Sequence, residues 1–498
     1  MKTPTAPLRL VSSAAFAAIL AAAVALPAAA QVDLTRIAFV GDSEGAGFSS
    51  GCLTKRVQVD SPVAIIARTA GVADFQQPII NDPGLGGCMV LLSLAPSFGA
   101  EASTGTPANL ALPRPYNNLS IPGCAIGDMV RATTGAETQS AGACRSFIDL
   151  VLRNSALHIG SPIAQAVALN PTFVFLENVG NDYLGAVLSG TVIDGVTVTP
   201  IANFTADINT ALTTLKNKQP KGIVFGVADV TSIPFATTLP PFLTSGGKLV
   251  LNPATGAPIP LLGPNGCPTG VPACPIPATT IVTLNAAAYL PSGFGIPCAV
   301  APTLPNCNKP LPAAALDAAH PGALIYAADV AFLKTRGAQY NAAIQAAATA
   351  TGYKYYDVND FLLRLKAGFD IGGATVNASF LTGGAFSYDG FHLTPIGYAL
   401  LADDVIQFMN ANFDAGLPRV NLSTYLFKGG TAGGLSGSSA LYSPLNGEDF
   451  ERAVQGIFTP EFAAQLASMF SHSKPALVQG DGGQVRHVEP RQRGVEQP

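Results

Sequence analysis

Between Arg36 and about Phe413, short apolar runs closed by Gly or Pro alternate with longer stretches in which Ala, Leu and Ile return at helical spacing. A short uninterrupted apolar run between turn residues reads as a strand buried on both faces. The runs are Arg36-Ile-Ala-Phe-Val40, stopped by Gly41; Thr172-Phe-Val-Phe-Leu176, introduced by Pro171; and Gly222-Ile-Val-Phe-Gly-Val227; Tyr353-Lys-Tyr-Tyr-Asp357, after a helical stretch, reads as a further strand. Helical spacing predicts helices over Asp207 to Lys216, Val330 to Thr351 and about Pro395 to Asn412. This alternation predicts an α/β fold with a mainly parallel central sheet covered by helices. In such sheets the carboxyl edge is where sites form.

Two regions break the rhythm. Residues 232–321 are rich in Pro and Gly, hold half of the cysteines and show little periodicity, which predicts a disulfide-tied insertion. It reads either as a surface loop or as a lid or substrate-binding wall. In the C-terminal region, 426–498, Gly429 to Ser439 reads as a linker and Gly480 to Pro498 as a polar, disordered tail. Between them Thr459-Pro460-Glu461 is a helix start, with Phe462, Leu466, Met469 and Phe470 on one face that would dock on the body. The main domain is then 31–425.

Composition adds a destination. Lys2 and Arg9 flank a polar start before an apolar run from Leu10 to Leu26, and Pro27-Ala-Ala-Ala30 offers a cleavage site, so 1–30 reads as a signal peptide. The mature chain is expected to be exported, periplasmic or extracellular, with no integral membrane segment left after signal removal. Eight cysteines fit an oxidising compartment, and no zinc-like pair spacing occurs, so disulfides are expected rather than a metal site. Spacing leaves the connectivity open; chain-order pairing would give local clips at Cys267–Cys274 and Cys298–Cys307 plus two longer links. A net charge of -4 without a basic run argues against a nucleic-acid partner.

The candidate chemistry begins at Gly41-Asp42-Ser43, directly after the first strand, where a sharp turn would expose a serine hydroxyl at the sheet edge. A serine needs a base, and histidine is the usual one. Of five histidines, His158, His320, His472 and His487 stand where surface or capping roles suffice, His158 being read as beginning a helix. His392 follows Asp389 by three residues, a spacing that lets the carboxylate hold the imidazole tautomer that accepts the serine proton. Gly180-Asn181-Asp182 follows the second strand, where the Asn181 amide could serve an oxyanion. Gly123, in Asn118-Leu-Ser-Ile-Pro-Gly123, permits close approach of a backbone N–H.

Taken in order, Phe39-Val-Gly-Asp-Ser43, Ser120-Ile-Pro-Gly123, Val179-Gly-Asn-Asp182 and Asp389-Gly-Phe-His392 resemble the blocks of the SGNH, or GDSL-like, hydrolases. The resemblance covers Arg36 to Phe413 apart from the insertion. It implies a flavodoxin-like three-layer α/β/α sandwich and a secreted serine hydrolase, an esterase or lipase acting on ester bonds without a metal or other cofactor. It implies Ser43 as nucleophile, His392 as base, Asp389 as its orienting carboxylate, and Ser43, Gly123 and Asn181 as the oxyanion hole. Glu44 stands where the GDSL motif has Leu. The expected partner is a small-molecule, lipid or glycan ester. Alternatives are a polysaccharide O-deacetylase or acetyltransferase of the same fold, and a non-catalytic surface binding protein.

Overall fold

A computed structural model describes residues 31–428 and 447–471, except 94–96, 179, 219, 318 and 427, together with two short strands at 478–479 and 485–486. The expected signal peptide, the Gly429–Ser439 linker, Val179, His472 and His487 lie outside the described residues. All four predicted strands form: β1 (Ile37–Val40), β2 (Phe173–Leu176), β3 (Lys221–Phe225) and β4 (Lys354–Tyr356). They pair in parallel in the order β1-β2-β3-β4, with Ile37 opposite Phe173 and Lys354 opposite Ile223.

The run-like rather than alternating apolar pattern has a direct cause: both faces of this sheet are covered. Ala38, Val40, Val174, Leu176 and Val224 belong to one core cluster, while Ile37, Phe39, Phe175, Ile223 and Phe225 belong to another. Eight helices are used below: α1 (Ser43–Ala46), α2 (Pro62–Thr69), α3 (Asn181–Ser189), α4 (Ile201–Lys216), α5 (Ala327–Thr351), α6 (Pro395–Phe413), α7 (Gly447–Ile457) and α8 (Pro460–Met469). Helices α3, α4 and α5 contribute to the first cluster, and α2 and α6 to the second. Helix α4 starts at Ile201 rather than Asp207, because Phe204 is buried and stacks on Tyr340 of α5. His158 does not begin a helix; it ends a short one, 154–157, with φ of 54°.

The insertion is ordered by a small core of its own, including Leu261, Ile276, Val282 and Leu311, and by short two-residue ladders. Its cysteines pair as Cys267–Cys274 and Cys298–Cys307, and the remaining pairs are Cys52–Cys88 and Cys124–Cys144. The pairing therefore follows chain order. Thr459 caps α8 through Phe462 N, and Phe462, Leu466 and Phe470 are buried against the body. Among the described residues no helix is long and apolar enough to cross a membrane.

Candidate active site

Ser43 opens α1 at the carboxyl end of β1, with Asp42 as the cap whose carboxylate accepts from Glu44 N at 3.2 Å. The turn is anchored from below by Glu177, which directly follows β2 and accepts from Asp42 N and Gly45 N, both at 3.2 Å. Gly45 must lack a side chain there. A Cβ would stand 2.4 Å from Ser120 Oγ and 2.9 Å from Glu177 Oε2.

The segment carrying Gly123 runs along the free edge of β1. Phe39 N donates to Asn117 O at 2.8 Å, and Ile121 N donates to Gly41 O at 2.9 Å. Gly123 has φ of 77°, and the Cys124–Cys144 disulfide fixes the chain just after it. Asn181, first residue of α3, donates Nδ2 to Cys124 O at 3.2 Å and so ties the end of β2 to this segment. Gly123→Ala is expected to cost about 1–2 kcal/mol of stability from the positive φ alone. The new Cβ would also press on Cys144 N and Met469 O, each at 3.1 Å. Thermal unfolding beside the wild type checks this.

Asp389 and His392 meet as their spacing requires: His392 Nδ1 lies 2.9 Å from Asp389 Oδ2. The Asp389 carboxylate accepts four further bonds, on Oδ1 from Ser387 Oγ (3.0 Å), Phe391 N (3.2 Å) and His392 N (2.9 Å), and on Oδ2 from Gly51 N (3.1 Å). Burial pushes its pKa up, but the adjacent His392 and these donors outweigh it and hold the carboxyl below its ordinary value. Asp389 is thus the carboxylate partner of an imidazole whose other nitrogen, Nε2, is shielded from solvent and has no hydrogen-bond partner. No hydrogen bond links Nε2 to Ser43 Oγ in this arrangement.

Ser43, Asn181 and His392 line one cavity whose remaining wall is mostly apolar, with Leu184, Ile233, Phe361, Phe386 and Leu401 among its residues. Ile233 comes from the start of the insertion. Asp389 stands behind His392, and Gly123 is not part of the lining. Glu44 lines the same cavity, and its Oε2 is buried without a partner. Burial, then the nearby Asp42 and Asp389, push the Glu44 pKa well above 4.5. An acid held protonated in the folded state lowers stability as pH rises from its unfolded value through its folded one. Glu44→Gln should therefore gain Tm relative to wild type on going from pH 5 to pH 8.

The fold brings Ser43, Asn181 and His392 to one cavity with Asp389 behind His392, and the groups that support them were not foreseen. Glu177 had one signal, an acid immediately after a fully apolar central strand. Ser387 and the Gly51 backbone had none. Cys124, Asp128 and Cys144 bring three potential metal-ligand atoms together, but the two sulfurs are spent in a disulfide. Asp128 accepts instead from Gln139 N at 2.6 Å and Ser140 Oγ at 2.5 Å. Comparison with protein-family models, with curated proteins and with solved structures gave no match for the chain.

Proposed function

We propose that the chain is an exported serine esterase of lipase type, belonging to the SGNH hydrolases and using their flavodoxin-like fold, that cleaves carboxylic esters through an acyl-enzyme on Ser43. One observation carries the reading. A buried carboxylate holds His392 Nδ1 at 2.9 Å while Nε2 has no competing partner, on a residue that shares a cavity with Ser43. The position of Ser43 after β1, the helices on both sheet faces and the four disulfides support the fold and compartment parts of the proposal.

In this mechanism His392 Nε2 takes the proton of Ser43 Oγ as the oxygen attacks the ester carbonyl, and Asp389 stabilises the resulting imidazolium. The tetrahedral oxyanion is met by the N–H groups of Ser43 and Gly123 and by Asn181 Nδ2, which has a second N–H beyond the one given to Cys124 O. Collapse expels the alcohol, which receives the proton from His392. Water deprotonated by the same histidine then releases the acid and restores Ser43. The apolar cavity wall suits the acyl chain.

The test is covalent. A fluorophosphonate, applied with and without a mild detergent, should modify Ser43 and no other serine, as read by peptide mass spectrometry, and Ser43→Ala should abolish labelling. Folded wild-type protein left unlabelled under both conditions would rule the reading out.

A further inference from the structure

The catalytic residues are more enclosed than a site open to substrate allows: Ser43 is 3% exposed, His392 1% and Asp389 0%. The cover comes from the far end of the chain. Phe470, which follows α8, packs its ring against those of Phe391, His392 and Phe48, with centroids 5.4, 5.5 and 5.9 Å away. The Met469 carbonyl rests over Gly123, 3.1 Å from where a Cβ would stand. Phe470 thus covers the imidazole, and its neighbour Met469 packs against Gly123.

Polar contacts latch this cover to the loops of the site. Gln465 Nε2 donates to Gly86 O and to Gly51 O, the latter belonging to the residue whose N–H holds Asp389. Ala141 N donates to Ser471 O at 2.7 Å. The segment also accepts, through Glu451 of α7, from Gly246 N (3.0 Å) and Gly247 N (3.2 Å) of the insertion. Its inner face is apolar throughout: Ile457, Phe458, Phe462, Leu466 and Phe470 are all buried. Two apolar crevices lie between it and the insertion, one lined by Leu249 and by Phe450 and Val454 of α7, the other by Leu316 and by Pro460 and Ala463 of α8. Leu249 is 45% exposed and Leu316 73%, so each crevice has an exposed apolar residue at its rim.

We propose that α7 and α8 form a lid that opens at a lipid–water interface, which makes aggregated apolar esters the substrates of this site; the proposal rests on the hydrolase reading above. The physical logic lies in what opening exposes. Lifting Phe470 and its helix uncovers Phe458, Phe462 and Leu466 together with Phe48 and Phe391, a contiguous apolar surface that water disfavours. In water the closed state therefore dominates. A lipid surface covers that patch and the exposed Leu249 and Leu316 at the rim, and so binds the open state better than the closed one.

The experiment titrates tributyrin through its solubility limit with wild type, Phe470→Ala and Gln465→Ala, following acid release and checking each fold by circular dichroism. Wild type should turn over slowly below the limit and rise out of proportion above it. Each variant should be about three- to tenfold faster than wild type below the limit, because the competent state is more populated. Gln465→Ala removes the bonds to Gly86 O and Gly51 O, so it stays informative if Phe470→Ala fails to fold. Smooth wild-type saturation through the limit overturns the lipid trigger. Variants no faster than wild type below the limit overturn the lid, and an opener of another kind, such as a protein partner, would leave the variants faster with no wild-type rise. Absence of Ser43-dependent hydrolysis in every arm instead overturns the hydrolase reading and this proposal with it.

Discussion

Ser43→Ala is expected to reduce kcat on 4-nitrophenyl butyrate by about ten-thousandfold or more, with KM and fold retained. The methyl group cannot attack, and only donors to the oxyanion remain to accelerate attack by water. Structural damage does not explain such a loss at this position. The cap of α1 is Asp42, not Ser43, so no capping bond is removed. Alanine is also the best helix former, and Ser43 is the first residue of that helix. The melting temperature should stay within about a few degrees of wild type, as for a substitution costing about half a kcal/mol or less. A loss below tenfold in a protein that melts normally would assign the nucleophile elsewhere.

The central sheet was legible because its strands are short apolar runs with Gly or Pro at their ends, and local pattern is enough to find those. Chemistry that rests on short spacing was equally legible: Asp389 and His392 are three residues apart and meet at 2.9 Å. What local pattern cannot carry is long-range pairing. The N–H that completes the Asp389 shell comes from Gly51, 338 positions away, and a one-residue change in the hairpin from Phe48 to Leu53 would replace that donor without altering any periodicity. The insertion lacked a readable pattern because disulfides and two-residue ladders order it, not amphipathic elements. Helix α7 escaped notice for a related reason. Its first turn, Gly447-Glu-Asp-Phe450, offers a single apolar residue, and the contacts that fix its end are long-range, Phe458 just after it meeting Phe235 and Phe380.

The docking of α8 was expected from its apolar face, but the place it docks was not. A face tells that a helix needs a surface, and the surface is chosen by shape. Here Phe470 fits the hollow between Phe48, Phe391 and His392, so the same aromatic residues that hold the imidazole in place also receive the cover. Packing of this segment and access to the site are therefore coupled in this chain.

Asp389→Asn is expected to lower kcat by about a thousand- to ten-thousandfold at neutral pH while also destabilising the fold, and the reason is in the donors around the carboxylate. All five contacts to Asp389 come from donors: His392 Nδ1 and Gly51 N at Oδ2, and Ser387 Oγ, Phe391 N and His392 N at Oδ1. An asparagine must turn its NH2 toward one of these groups. Facing the Oδ2 side, it opposes Gly51 N–H and drives the proton of His392 from Nδ1 to Nε2, where a base is needed. Facing the Oδ1 side, it opposes two backbone N–H groups that have no alternative acceptor. Each buried donor left unpaired costs about 1–3 kcal/mol, so a stability loss of about 2–4 kcal/mol is expected. The pH dependence follows from the lowered pKa of Asp389. A carboxylate held below its ordinary value contributes stability that is complete above that value, 3.8, and is lost as pH falls through the folded one. The gap in Tm between wild type and Asp389→Asn should therefore narrow below about pH 4 as the wild-type carboxyl takes up a proton. A gap that stays constant into acid, or a variant that keeps more than a tenth of wild-type kcat, would remove Asp389 from the role of orienting carboxylate.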